Sequence, residues 1–97
     1  MTVFIVTYEL RDAERDYEPL FARLAAYGHA RPLASSWWID SARNAAQIRD
    51  DLEAAMSPGD GLLVMRIDGQ AAWNGTDEAA EQWLARRFRP SVTPPGQ

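Results

Sequence analysis

The opening run Met1-Thr2-Val3-Phe4-Ile5-Val6-Thr7-Tyr8-Glu9-Leu10 constrains the fold more than any other stretch of the chain. Successive side chains of a strand point to opposite faces, and here both sets are apolar: Phe4, Val6 and Tyr8 on one, Val3 and Ile5 on the other. Such a strand sits centrally and needs cover on both sides. A second run of the same kind, Leu62-Leu63-Val64-Met65-Arg66-Ile67, reads as its equal, cut off by the Asp68-Gly69 turn signal. Two ribbons of this type call for one sheet at the centre of one domain. With 97 residues the chain is long enough for a modest core, burying roughly 60 to 68% of its unfolded surface.

Between the ribbons the apolar spacing changes to helical steps. Tyr17, Leu20, Phe21, Leu24 and Tyr27 mark a helix with Pro19 in its first turn, Asp16 as the expected cap and Gly28 as the expected C-terminal stop. His29-Ala30-Arg31-Pro32-Leu33 then reads as a short or edge strand because of Pro32. Ala34-Ser35-Ser36 reads as a tight reversal into Trp37-Trp38-Ile39-Asp40, completing a hairpin. Asp40-Ser41 is the expected cap of a helix from about 43 to 56, with Ile48, Leu52, Ala55 and Met56 on its apolar side. Ser57-Pro58-Gly59-Asp60-Gly61 is a turn. Past the second ribbon, Gln70-Ala71-Ala72-Trp73 is the expected return strand of a hairpin, and Thr76-Asp77-Glu78 opens a helix through about Phe88. The reading is a single domain over 1–89, with 90–97 as a disordered tail.

The blocks to Ile67 spell βαββαβ, whose usual solution is an α+β, ferredoxin-like antiparallel sheet with both helices on one face, here with an added short strand and a C-terminal helix. The other face then carries an apolar set, Val3 and Ile5 or Phe4 and Val6, with matching residues of the second ribbon. Contiguous exposed apolar area marks an interface, so the expectation is a homodimer through this face or its edge. The competing expectation is that the last helix, with Trp83 and Phe88, folds over part of the face within one chain.

Composition narrows the chemistry. There is no cysteine and His29 is the only histidine, so thiolate and multi-histidine zinc sites are outside this chain's means. A bound metal would be held by oxygen, which favours Mg²⁺ or Mn²⁺. No apolar stretch approaches the roughly 20 residues of a membrane span, and charges from Glu9 onward break the start too early for a secretory signal, so a cytoplasmic protein without membrane attachment is expected. The net charge of −4 argues against a broad basic footprint. The candidate nucleic-acid contacts are therefore local: Arg86, Arg87 and Arg89, with Arg31 and Arg43. Helix-end arginines also serve as partners of the helix dipole. Trp37 and Trp38 point to opposite faces, so at most one is free to stack on a base. Glu9, at the end of the first ribbon, is the candidate catalytic and metal-binding carboxylate. The bland alternative for Glu9 is a solvated charge paired with Arg11.

The pattern of Val6-Thr7-Tyr8-Glu9-Leu10, Tyr27-Gly28, Ser36-Trp37-Trp38-Ile39, Ala46-Gln47-Ile48-Arg49-Asp50-Asp51-Leu52 and Gly59-Asp60-Gly61-Leu62-Leu63-Val64 resembles the CRISPR-associated protein 2 superfamily. The resemblance spans about 1–73 and is strongest to the stand-alone, SinR-family relatives. It implies a ferredoxin-like homodimer. In members with metal-dependent nuclease activity, an aspartate after a tyrosine at the end of the first strand comes from each protomer to hold a divalent ion. The matching position here is Glu9 after Tyr8, longer by one methylene. VapD-like ribonucleases share the fold. With glutamate for aspartate and an acidic chain, the expectation is a non-catalytic dimeric module that contacts nucleic acid or protein. The alternative is a Mg²⁺- or Mn²⁺-dependent nuclease using Glu9 of both protomers.

Overall fold

The computed structural model describes residues 2–34, 36–68 and 70–90, with 70, 71, 89 and 90 described through their backbone alone. The elements run β1 (Thr2–Glu9), α1 (Glu18–Ala25), β2 (Gly28–Leu33), β3 (Ser36–Ser41), α2 (Ala45–Glu53), β4 (Gly61–Ile67), β5 (Gln70–Ala71), α3 (Glu78–Arg87) and β6 (Arg89–Pro90). This is a small α+β protein built on a four-stranded antiparallel sheet in the order β2-β3-β1-β4. The doubly apolar β1 lies inside the sheet. It pairs with β3 from Thr2↔Ser41 to Thr7↔Ser36 and with β4 from Val3↔Ile67 to Glu9↔Gly61.

The register divides the side chains between two cores. One side of the sheet holds Phe4, Val6, Trp37 and Ile39, buried under Leu20 and Leu24 of α1 and Ile48 and Leu52 of α2. The other holds Val3 and Ala30, buried under Ala80, Trp83 and Leu84 of α3 and Phe88, with Trp38, Ile67 and Trp73 packed around them. Trp37 and Trp38 thus part to opposite faces, as strand alternation requires. Phe88 meets Trp38 edge to face, ring centroids 5.6 Å apart. The competing expectation holds on this face: α3 of the same chain, with Trp83 and Phe88, covers its β2–β3 side. The cover stops short of β4, where Leu63 and Met65 remain 54% and 48% exposed.

Local details depart from the sequence reading in four places. The α1 N-cap is Tyr17 without a side-chain bond, and Asp16 accepts from the Glu18 amide at 3.0 Å. Gly28 does not close α1, which ends through Ala26 in ordinary helical geometry; Gly28 is the first residue of β2. The cap of α2 is Asn44, whose side chain accepts from the Gln47 amide while Gln47 accepts from the Asn44 amide, both at 2.9 Å, a reciprocal capping box. Ser41 instead bonds the Arg43 amide. The expected hairpin between β4 and a return strand is also absent among the described residues, Gly69 lying outside them. β5 pairs in parallel with β6, Gln70↔Arg89 and Ala71↔Pro90. Trp73 packs on the second core, and burying that ring draws the chain across the sheet face rather than back along β4. Asp77 caps α3 as expected, accepting from Ala80 at 2.7 Å. Ser35 of the reversal and 91–97 of the expected tail lie outside the described residues.

Candidate functional site

The carboxyl end of β1 is held by a network centred on Asp60, from the turn before β4. One Asp60 oxygen accepts from the Arg11 amide at 2.8 Å; the other accepts from the Tyr17 hydroxyl at 2.7 Å and the Ser57 amide at 2.9 Å. Ser57 Oγ donates to Asp12 at 2.7 Å. The loop after β1 is therefore tied to the loop before β4. Burial alone would raise the Asp60 pKa, but these hydrogen bonds, with the charge of Arg15, outweigh it and hold the carboxyl below its ordinary value. Tyr17 is shifted upward, first by burial and then by its bond to Asp60.

Glu9 stands at the rim of this network, on the α3-side face in line with Val3, Ile5 and Thr7, and opposite Gly61. Its carboxylate accepts from Arg11 Nη2 at 2.6 Å, with the Glu9 side chain 74% exposed. Arg11 also donates from Nη1 to the Gly59 carbonyl at 2.7 Å. A Cβ on Gly61 would come within 3.3 Å of Arg11 Nη2, so glycine leaves room for this strap. No group of three or more histidine or carboxylate side chains suited to a metal occurs among the described residues. A divalent ion at Glu9 would compete with Arg11 for its carboxylate.

The candidate arginines are not brought together. Arg87 is an internal clamp: it pairs with Asp40 on β3 and lies 3.9 Å over the Trp83 ring, fixing α3 to the sheet. Arg43 sits 3.8 Å from Asp51 and 3.4 Å from the Tyr27 hydroxyl, in a cluster where Arg23 also bonds Asp51 at 2.7 Å. Burial, then the bond to Asp51, raises the Tyr27 pKa. Arg31 bonds the Ala34 carbonyl at 2.6 Å and lies 4.6 Å over Trp37. Arg86 is exposed on α3. Only Arg31 and Arg86 share a feature, a groove along β2. The backbone of Arg89 joins β6.

The feature of largest apolar character is the uncovered part of the α3-side face. Across the sheet the rows read Asp40, Val3, Ile67, then Trp38, Ile5, Met65, then Ser36, Thr7, Leu63. The first row lies toward α3 and its Arg87 clamp; the β4 ends of the other two stand open. Beside them a cavity of about 290 Å³ is walled by Ile5, Leu33, Trp38, Trp73, Thr76 and Leu84. Leu33 at its mouth is 57% exposed, and Thr76 Oγ1 is buried without a hydrogen-bond partner among the described residues. β4 is also an outer strand, so its far backbone edge has no strand partner among the described residues. The sequence reading named this apolar set but not how far α3 would cover it.

Comparison with known proteins finds no matching family model, no matching curated protein and no matching solved structure. No described helix is long and apolar enough to cross a membrane.

Proposed function

We propose that this chain is a non-catalytic, self-associating interaction module of ferredoxin-like βαββαβ plan, related to the CRISPR-associated protein 2 superfamily and its stand-alone members. The order β2-β3-β1-β4 supports the plan, being the one in which each crossover helix spans a strand of the same sheet. The observation that carries the self-association is the strip of Leu63 and Met65, exposed beside half-buried Ile5 and next to the edge of β4 that has no strand partner among the described residues. Large side chains exposed side by side on an outer strand are what a protein avoids unless a partner covers them. A second copy meeting the first about a two-fold axis covers both strips at once.

The non-catalytic reading is supported at Glu9. Its carboxylate is paired with Arg11, and the described residues hold no group of three or more carboxylate or histidine side chains around it. The test has two arms. Sedimentation of the wild-type chain at micromolar concentration is expected to give a dimer, and Leu63→Glu with Met65→Glu a monomer of unchanged circular dichroism; a wild-type monomer overturns self-association. Incubation with labelled RNA and duplex DNA plus Mg²⁺ or Mn²⁺ is expected to leave both intact. Cleavage that Glu9→Gln abolishes would instead establish the nuclease, with Glu9 as its metal ligand.

A further inference from the structure

We infer that the outer edge of β2 is a docking site for an extended acidic peptide segment, which joins the sheet there and sets neighbouring carboxylates against Arg31 and Arg86. The inference stands apart from self-association, which concerns the opposite edge of the sheet. β2 ends the sheet, so one side of its backbone has no strand partner among the described residues. Along that side runs a groove of about 430 Å³ between His29, Ala30 and Arg31 on the strand and Ala80, Trp83 and Arg86 on α3. Small side chains at Ala30 and Ala80 keep its floor shallow enough for another backbone to approach.

The cations flank this edge from both sides of the sheet plane. Arg31 lies over Trp37, whose ring belongs to the core under α1 and α2, and His29 packs on the same ring at 5.2 Å. Arg86 stands on α3, over the other face. In an added strand, successive residues point to opposite faces, so two adjacent carboxylates reach one cation each. His29 Nδ1 donates to the Tyr27 carbonyl at 2.9 Å. Asp77 also lines the groove, with its carboxylate engaged in capping Ala80, so the acidic pair belongs at the Arg86 end. The register of β2 shifts between Ala30 and Leu33, and Pro32 lacks an amide proton, so the ladder is confined to Gly28–Arg31.

Charge decides between a peptide and a nucleic acid. A phosphate backbone is held by neutralising a run of phosphates. In a chain of net charge −4 whose Arg87 is paired with Asp40, the two arginines that line this groove among the described residues are too few for that. They suffice for two carboxylates on a strand whose remaining contacts are backbone hydrogen bonds.

The experiment titrates the isotope-labelled full chain with a short capped peptide of paired glutamates and valines. Its controls are the same peptide with lysines for glutamates, and a single-stranded oligothymidylate. The acidic peptide is expected to shift the Gly28–Arg31 amide resonances and slow their exchange. Arg31→Glu with Arg86→Glu is expected to weaken binding at least about tenfold. Because Arg31 packs on Trp37, the exposed Arg86→Glu alone is measured too, and is expected to weaken binding with an unchanged spectrum elsewhere. The inference is overturned if the acidic peptide fails to bind at millimolar concentration, if both variants bind it as well as wild type, or if the lysine peptide or the oligonucleotide binds equally well or better. Failure to bind would leave the arginines the simpler role of keeping β2 from pairing with other copies.

Discussion

The two faces of the central sheet are built from the same strands yet finished differently. Under α1 and α2, Leu20, Leu24, Ile39, Ile48 and Leu52 show no exposed surface, and two helices span the sheet. On the opposite face a single helix, held by the Arg87–Asp40 pair and the Trp38–Phe88 contact, covers one side and leaves the β4 side open. The comparison separates residues that hold the fold from residues that fold alone does not require. Leu63 and Met65, exposed on β4, fall in the second group.

Substitutions can break that contrast, and the largest effect belongs to the closed face. Leu52→Ala should cost about 2–5 kcal/mol, the range for a fully buried leucine, in urea unfolding monitored by circular dichroism. On the half-closed face, Arg87→Met leaves the Asp40 carboxylate in a nearly buried position without its partner. The expected loss is about 1–3 kcal/mol, with tryptophan fluorescence reporting the release of α3. The same denaturation applied to Met65→Glu should move stability by no more than about 0.5 kcal/mol, while sedimentation shows dimer lost; a large destabilisation there would erase the distinction between the faces. Glu9→Gln removes an exposed ion pair and should register at most about 1 kcal/mol.

Acid sharpens the contrast in a different way. The folded-state pKa of Asp60 lies below its ordinary value of 3.8, so its network is at full strength above that value and is lost as pH falls through the folded pKa. Unfolding followed between pH 5 and the acid limit, values set by the carboxylate range, should show this slope flattened in Asp60→Asn.

Much of this architecture was legible in the residues. Apolar side chains on both faces placed β1 inside the sheet, but the same pattern in β4 pointed to a second central strand, and β4 is instead an outer strand whose Leu63 and Met65 stay exposed. Helical spacing placed Leu20 and Leu24, and Ile48 and Leu52, on buried faces. What escaped was non-local or carried by modest signals. The Arg87–Asp40 pair joins residues far apart in sequence, and nothing near either one announces the other. The Asn44-Gln47 capping box was present as a spacing and was outcompeted by the more familiar Asp40-Ser41. The Asp68-Gly69 dipeptide says how the chain bends and not what it pairs with, so the parallel pairing of β5 with β6 is not legible from it. At the candidate site, Glu9 was located correctly at the end of β1, and Arg11 was foreseen as its simplest companion. The role of Asp60 in fastening both loops was not seen, since a turn aspartate reads as a turn former and nothing more.

The position of β1 also bears on how the molecule comes into being. It precedes both of its neighbours in the sheet, β3 and β4, the latter completed only at Ile67. Throughout synthesis a greasy ribbon therefore waits beside the ribosome for partners not yet translated, and most of its contacts are of long sequence separation. Premature termination between β3 and β4 would release a chain whose β1 lacks one of its two neighbours, and termination before β3 one that lacks both.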